Sequence, residues 1–200
     1  AGTGVKWSRG GPALQRFAEE TALPTFVNGM GRGQMPHGSP QLFNRVRREA
    51  LRECDVFLLA GSPLDFRLRF GGAVSDGARI VQLDIDATLI GQNRPADVAV
   101  VGNLGVVFDR MLDEIGASDA TVDFSDWTAE LRAREDELEA QFQAQLCSDE
   151  SPVDPLRFAA EIRDFVDEDT ILIGDGGDIV AQASKVIPVR TPNGWMDPGP

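Results

Sequence analysis

The sequence is short of the residues that build metal clusters and catalytic triads. It contains one histidine, His37, and two cysteines, Cys54 and Cys147, which form no CxxC pair. A single histidine excludes clustered-histidine metal sites and argues against a complete histidine-based triad. Two widely separated cysteines are typical of a reduced protein, so we expect a cytoplasmic location. His37 lies in the Gly/Pro-rich segment GQMPHGSPQ, and we interpret it as a solvated loop residue.

Basic charge and long apolar runs are also scarce. Lysine and arginine number 19 against 32 aspartates and glutamates, which leaves a net charge of −13. An acidic surface repels phosphate backbones, so we expect no nucleic-acid partner. No apolar run approaches the ~18 residues that a membrane span needs, and we expect no membrane partner.

The pattern that is present alternates short apolar strands with amphipathic helices. Strands are predicted at 24–29, 55–61, 78–86 and 97–103, and helices at 41–53 and 104–115. Strands without polar alternation suit a parallel sheet that is covered on both faces. The alternation predicts an α/β fold, Rossmann-like and doubly wound, with a mostly parallel sheet whose carboxyl edge binds ligands.

The character of the chain changes near residue 117. Residues 118–151 read as a linker built around one long helix at 125–146, with the acidic residues Glu135 to Glu139 on its solvated side. Residues 152–200 then begin a second α/β unit with a helix and a strand. A unit of roughly 45 residues is too small to cover its own sheet, so we expect both ends to be cut from something longer. The predicted segments are therefore a domain at 1–117, a linker at 118–151 and an incomplete unit at 152–200.

Three features of the first domain could bind a ligand, and each has a purely structural alternative. The turn Gly2-Thr3-Gly4 before a helix could cradle a diphosphate, although such turns join strands to helices in many proteins. Arg67, in the loop after a buried strand, could contact a phosphate or be an ordinary surface arginine. Asp84 and Asp86 end a predicted strand and could accept hydrogen bonds from ribose hydroxyls; alternatively, Asp86 caps the short helix that follows.

Three blocks of the first domain resemble a known family. They are AGTGV…LQRFAEETALPTFVNGMGRGQMPHGSP, ALRECDVFLLAGSPLDFRLRFG and IVQLDIDATLIGQNRPADVAVVGNLGVVFDRML, and together they cover nearly all of residues 1–117. They resemble the central domain of thiamine-diphosphate-dependent enzymes of the acetolactate synthase type, whose members include 2-hydroxyacyl-CoA lyase, oxalyl-CoA decarboxylase and benzaldehyde lyase. The resemblance implies that the central domain binds FAD, binds ADP or serves only as a scaffold. It also implies contacts with the diphosphate (Gly2, Thr3, Gly4), a phosphate (Arg67), the ribose (Asp84 or Asp86) and the adenine end (Asn103, where relatives often have aspartate).

Residues 152–200 resemble the entry to the third, diphosphate-binding domain of the same family. Gly174-Asp175-Gly176 looks like the start of a magnesium–diphosphate motif, but the Asn-Asn pair that should follow is missing and Asn193 is the one downstream asparagine. The resemblance instead puts this turn at the first strand of that domain, where Gly177 and Asp178 approach the thiamine diphosphate tail. Asp178 and Ile179 stand where acetolactate synthases have Gln-His, which points away from an orthodox acetolactate synthase.

The resemblance implies a carbon–carbon lyase or synthase acting on a small-molecule substrate, a 2-oxoacid or acyloin, with thiamine diphosphate and Mg²⁺ in the parent enzyme. We expect that parent to be a homodimer or homotetramer. Its activating glutamate belongs to the first domain, so we assign no catalytic residue and no metal ligand to this chain and expect no activity from it alone. Two alternatives remain open: a stand-alone NAD- or nucleotide-binding module of the deoxyhypusine-synthase type, and a packing scaffold that binds no nucleotide.

Overall fold

The computed structural model describes residues 1–197, so the last three residues of the predicted 152–200 unit lie outside the described residues. The helices are α1 (Thr3–Trp7), α2 (Gly11–Thr21), α3 (Arg47–Glu53), α4 (Leu104–Ala117), α5 (Ser125–Leu146), α6 (Pro155–Arg163) and α7 (Gly177–Val186). The strands are β1 (Thr25–Phe26), β2 (Leu42–Phe43), β3 (Val56–Ala60), β4 (Arg79–Asp84), β5 (Val98–Val101), β6 (Leu172–Ile173) and β7 (Trp195–Met196). None of the helices in this part of the chain is long and apolar enough to cross a membrane.

The main sheet contains β3, β4 and β5 in that order, and both of its strand pairs are parallel. Its strands have apolar residues on both faces, as expected for a sheet that is covered on both sides. One face contacts α2 and α4, where the rings of Phe17 and Phe108 lie 5.5 Å apart in a buried cluster with Leu83. The other face forms a second buried cluster with Leu59 and Ile80. The α/β class and the parallel sheet predicted from the sequence are confirmed, although most of β5 is exposed.

One predicted helix is wrong over its first half. The segment 41–53 was expected to be helical throughout, but Leu42–Phe43 form β2, which pairs in parallel with β1, and the helix begins only at Arg47. Leu42 and Phe43 fit the helical spacing of the segment, so the pattern alone did not separate the two structures. Pairing with Thr25 and Phe26 decides in favour of a strand.

The linker helix α5 has the predicted bounds but packs more tightly than its charge suggests. Leu131 is completely buried in a cluster with Phe43, Val46 and Ala50. Glu135 was expected on the solvated side, but its side chain is buried and accepts hydrogen bonds from the backbone N–H groups of Asn44, Arg45 and Val46. Hydrogen bonds from three backbone N–H groups offset the cost of removing the carboxylate from water, which explains why an acidic residue lies in this interface.

The last unit consists of α6, β6, α7 and β7. Helix α6 begins at Pro155 after Asp154, whose carboxylate accepts a hydrogen bond from the N–H of Leu156 at 2.7 Å. Strands β6 and β7 pair in parallel, and α6 packs on α7 around Ala159, Ala160 and Val186. Strands β6 and β7 with the intervening α7 form a βαβ arrangement. The sequence had predicted only that a second α/β unit begins here with a helix and a strand.

Loop 71–78 is organised by one arginine. The guanidinium of Arg94 donates hydrogen bonds to the carbonyl oxygens of Gly71, Val74, Ser75, Asp76 and Ala78 at 2.9–3.4 Å. The side chain of Arg94 also covers Gly71, where an added Cβ would lie 3.0 Å from the Arg94 Cβ. The loop therefore has a defined shape without regular secondary structure of its own.

Candidate functional site

The glycine turn at residues 2–4 is explained first by close packing. A Cβ on Gly4 would lie 2.6 Å from the Cα of Gly61, and one on Gly2 would lie 2.6 Å from the Cβ of Ser62. The N–H of Gly4 donates to the carbonyl of Gly61 at 2.8 Å, which holds the start of α1 against the end of β3. These contacts require glycine whether or not a ligand binds, so the turn is not by itself evidence of a phosphate site.

The polar residues that follow β4 and β5 make local contacts at the carboxyl edge of the sheet. The buried carboxylate of Asp84 accepts a hydrogen bond from the N–H of Asp86 at 3.0 Å. Asp86 is exposed and caps a short 3-10 turn through Thr88, whose hydroxyl and N–H hold the pKa of Asp86 below its ordinary value. Asn103 caps α4 through the N–H groups of Gly105 and Val106. The capping alternative for Asp86 is thus realised, and Asn103 has a similar structural role.

A separate, basic cleft of about 1030 Å³ lies between the first domain and the last unit. Its ionisable lining is six cations against two aspartates: Arg32, Arg45, Arg47, Arg48, Arg67 and Lys185 against Asp175 and Asp197. This excess is notable because the whole chain carries a net charge of −13. A concave surface with concentrated positive charge attracts anionic ligands.

Burial makes it costly to keep Arg32 and Arg47 charged in the cleft, and repulsion from Arg47 adds to the cost at Arg32. Burial, followed by the nearby charge of Arg47, lowers the pKa of Arg32 to about 10, while Asp197 opposes that effect. Burial also lowers the pKa of Arg47. The pKa of Arg67 is raised, chiefly by its hydrogen bonds to Asp65, one of which joins Nε to Oδ2 at 2.9 Å. An anion bound beside Arg32 and Arg47 would offset their desolvation and mutual repulsion, adding to the contribution that Asp197 already makes at Arg32.

The glycine turn and the basic cleft are neighbours. The Thr3 hydroxyl accepts a hydrogen bond from the N–H of Met30 at 3.2 Å. Gly29, whose φ is +49°, lies between them: an added Cβ would be 2.8 Å from the Thr3 hydroxyl and 3.6 Å from Nη1 of Arg67. The segment Asn28–Met30 therefore connects the predicted diphosphate turn with the arginines across a few ångströms.

The turn that follows β6 reaches the same cleft from the other side. Gly174, Asp175, Gly176 and Gly177 line it, so the structure brings Gly177 together with Arg67. Asp178, in the first turn of α7, is not among the described lining residues. The nine predicted site residues thus divide into two groups. Arg67 and Gly177 face the cleft, and the structure places the others elsewhere: Gly2, Thr3, Gly4, Asp84, Asp86, Asn103 and Asp178.

Sequence reasoning did not single out Arg32 and Arg47 as ligand-binding candidates. Arg47 lies within the segment 41–53 that was predicted to be a helix, and Arg32 lies between predicted elements. The available signal was the glycine on each side of Arg32, in GMGRG, since glycines let a backbone approach a neighbouring group closely. Gly33 indeed has a φ of +82°, and a Cβ added there would lie 2.1 Å from the carbonyl oxygen of Thr191.

Comparison with known proteins agrees with this architecture. A family model described as "Thiamine pyrophosphate enzyme, central domain" matches residues 1–111. The chain belongs to the thiamine pyrophosphate enzymes. It is 32% identical over 200 residues to a probable acetolactate synthase of Mycobacterium bovis, a match that covers 100% of this chain and 36% of the relative. It is 31% identical over 194 residues to 2-hydroxyacyl-CoA lyase 2 of Caenorhabditis elegans, covering 93% of this chain and 30% of the relative.

The chain spans about a third of the length of these curated relatives of the thiamine pyrophosphate enzymes. Because the family model matches residues 1–111, the resemblance seen in the sequence blocks of residues 1–117 is confirmed at the level of the family. Both relatives match well beyond residue 111, so the similarity also includes α5 and the unit that contributes Gly174–Gly177 to the cleft.

Proposed function

We propose that this chain is part of a thiamine-diphosphate-dependent enzyme that forms or cleaves a carbon–carbon bond next to a carbonyl group, with a 2-oxoacid or acyloin as substrate. Residues 1–117 are the central domain, residues 118–151 the linker and residues 152–200 the start of the diphosphate-binding domain. The observation that carries the proposal is the basic cleft, because residues of the central domain and the Gly174–Gly177 turn line it together. When bound, thiamine diphosphate supplies the electron sink for such chemistry.

The residues present fit the anionic part of a cofactor. Arg32 and Arg47 are desolvated cations, Arg67 adds a third guanidinium, and Asn28 adds an amide beside them. One guanidinium group can donate two parallel hydrogen bonds to a phosphate, which is why arginine is favoured at phosphate-binding sites. We infer that these side chains hold the phosphates of FAD or ADP in the central domain. The small residues Gly176 and Gly177, where an added Cβ meets nothing within 4 Å, leave room on the opposite wall.

A titration with nucleotides tests this proposal directly. Arg32 lies over the indole ring of buried Trp195, 5.1 Å from its centroid, so the fluorescence of Trp195 should change when an anion binds to Arg32. We expect FAD or ADP to give a saturable change that weakens as salt rises. Saturable binding of NAD together with no response to FAD or ADP would instead favour the stand-alone nucleotide module.

The matched variants are Arg32→Met and Arg52→Met. Losing the charge-assisted hydrogen bonds of Arg32 should weaken nucleotide binding by about 10- to 100-fold. Arg52 is exposed on α3 and lies outside the cleft, so its replacement should leave the affinity unchanged. Equal nucleotide affinities for the two variants would show that the nucleotide does not bind in the cleft.

We also propose that the 200-residue chain does not turn over by itself. The family resemblance assigns the activating glutamate and the metal motif to segments outside the matched residues. The assay is product formation from pyruvate with thiamine diphosphate and Mg²⁺. Sustained turnover by this chain would contradict the assignment.

A further inference from the structure

Four phenylalanines are among the described residues that line the basic cleft, and three of them already contact other side chains. Phe26 and Phe43 pack against each other, with their ring centroids 5.8 Å apart. The ring of Phe142 is covered by the guanidinium of Arg45, whose Cζ lies 3.5 Å from the ring centroid. Phe66 differs from these three because 57% of it is exposed. The described lining of the cleft therefore presents one largely uncovered aromatic ring.

The segment that carries Phe66 is anchored on both sides of this residue. Leu64 and Leu68 are buried in the same apolar cluster. The carbonyl of Asp65 accepts hydrogen bonds from the N–H groups of Leu68 at 3.0 Å and Phe70 at 2.8 Å. These contacts fix the backbone around Phe66, so its ring is displayed in the cleft before any ligand binds. A preformed contact surface loses little conformational freedom on binding.

A cationic group lies directly beside the exposed ring. The Cζ atom of Arg67 is 5.6 Å from the centroid of the Phe66 ring. Hydrogen bonds from Nε and Nη2 of Arg67 to the carboxylate of Asp65 fix the plane of its guanidinium. Gly29 lies next to the third nitrogen, since an added Cβ would be 3.6 Å from Nη1 of Arg67. This wall of the cleft therefore combines an oriented cation with an aromatic surface.

We propose that Phe66 is a stacking surface for a planar heteroaromatic ring, so that the cleft prefers a nucleotide to a bare diphosphate. This inference rests on the phosphate contacts of Arg32, Arg47 and Arg67 proposed above. The phosphates contact the guanidinium groups, and the base lies against the exposed ring of Phe66. The cleft volume of about 1030 Å³ leaves room for both parts, because pockets for whole small-molecule ligands measure about 300–1,000 Å³.

Stacking on Phe66 selects for a ring as such and not for one particular base. Aromatic rings attract one another in offset or tilted arrangements, with centroids about 4.5–7 Å apart. Every base has a π-face, so an aromatic side chain accepts different bases without reading their hydrogen-bonding edges. Covering the exposed ring also removes apolar surface from water. The expected ligands are therefore nucleotides as a class, with the adenine of ADP as the simplest probe.

Calorimetric titrations of the 200-residue chain with ADP and with inorganic pyrophosphate test the proposal. Phe66→Leu keeps an apolar side chain but removes the ring. We expect this variant to bind ADP about 10-fold more weakly, since stacking on one aromatic side chain contributes on that scale, and to bind pyrophosphate with an affinity within about 2-fold of the unmodified chain. Phe66→Trp restores an aromatic surface and should bind ADP at least as tightly as the unmodified chain does.

Phe70→Leu is the matched control. Phe70 lies on the same 3-10 segment and is 58% exposed, but it is not among the described residues that line the cleft. Its replacement should leave the affinities for ADP and pyrophosphate unchanged. Equal losses of ADP affinity in Phe70→Leu and Phe66→Leu would show that the whole segment is disturbed, and would overturn the stacking role of Phe66.

The salt dependence of ADP binding separates stacking from indirect support of Arg67. Salt screens charged contacts, whereas the Phe66 ring carries no charge. The affinity of Phe66→Leu for ADP should therefore fall with added salt as steeply as that of the unmodified chain. A shallower dependence would show that Phe66 acts by holding the guanidinium of Arg67 in place, and would overturn the proposal.

The two ligands also distinguish failure of this inference from failure of the proposed function. If Phe66→Leu weakens ADP and pyrophosphate binding equally, or weakens neither, the stacking role is overturned while the phosphate site remains. If the unmodified chain binds neither ligand, the phosphate site itself is overturned, and the stacking role fails with it.

Discussion

Replacing Glu135 with glutamine should destabilise the chain by about 3 kcal/mol, mostly through one backbone donor left without a partner. One carboxylate oxygen accepts from Asn44 and Arg45 at 2.9 and 3.0 Å, and the other accepts from Arg45 and Val46 at 2.9 and 2.8 Å. Glutamine has a single acceptor oxygen. If that oxygen takes the first place, its NH₂ group faces the N–H of Val46; if it takes the second, its NH₂ group faces that of Asn44.

The magnitude combines two effects. A buried donor without an acceptor costs about 1–3 kcal/mol, and the remaining bonds lose the contribution of the negative charge. For a chain of this size the loss corresponds to a fall in Tm of about 6–12 °C, measured by thermal unfolding. Glu137→Gln is the matched control, since Glu137 is exposed on the same helix and should change Tm by less than about 2 °C. Indistinguishable Tm values for the two variants would refute this reasoning.

Two further predictions concern the turn at the start of the chain. Acetylation of Ala1 should stabilise the protein most at low pH. The pKa of the free amine is 8.0 in the unfolded chain and about 5 in the folded chain. Between these values the unfolded state binds more protons, so the free energy of unfolding of the unmodified chain falls as pH drops. This loss amounts to at most about 4 kcal/mol. It would be contradicted if the free energy of unfolding changed by the same amount in acetylated and unmodified chains from pH 8 to pH 5. Gly4→Ala should lower stability by about 2–3 kcal/mol because the new Cβ would meet the Cα of Gly61 at 2.6 Å. Gly116→Ala, in α4 with nothing within 4 Å, should stabilise by about 0.5–1 kcal/mol in the same denaturant titration, and a similar loss in both variants would show that packing is not the cause.

The elements that the sequence predicted well are those with long, consistent patterns. The linker helix was placed at 125–146 and α5 has the same bounds, because its apolar spacing and flanking polar residues agree over many turns. The buried strand expected at 55–61 is β3 at Val56–Ala60. Segment 41–53 was harder, since Leu42 and Phe43 fit a helix by spacing and become a strand only through β1, a partner distant in sequence.

The candidate site was less predictable for a similar reason. Motifs indicated Gly2–Gly4 and Asp86, and the structure gives both local roles: the glycines pack on Gly61 and Asp86 caps a turn. The basic cleft depends instead on arginines from a loop, from a helix and from the segment after β3. No spacing along the chain relates these residues to one another.

Arg94 does not line the cleft, but it holds the loop that follows Arg67. Its guanidinium fixes five carbonyl groups of loop 71–78. That loop continues directly from the 3-10 segment Phe66–Gly71, which carries Arg67 into the cleft. Lysine offers one ammonium group where the loop needs a planar, branched donor, so it cannot reproduce this convergence. A lysine at position 94 would therefore loosen the loop that follows Arg67, although Arg94 itself is not among the residues that line the cleft.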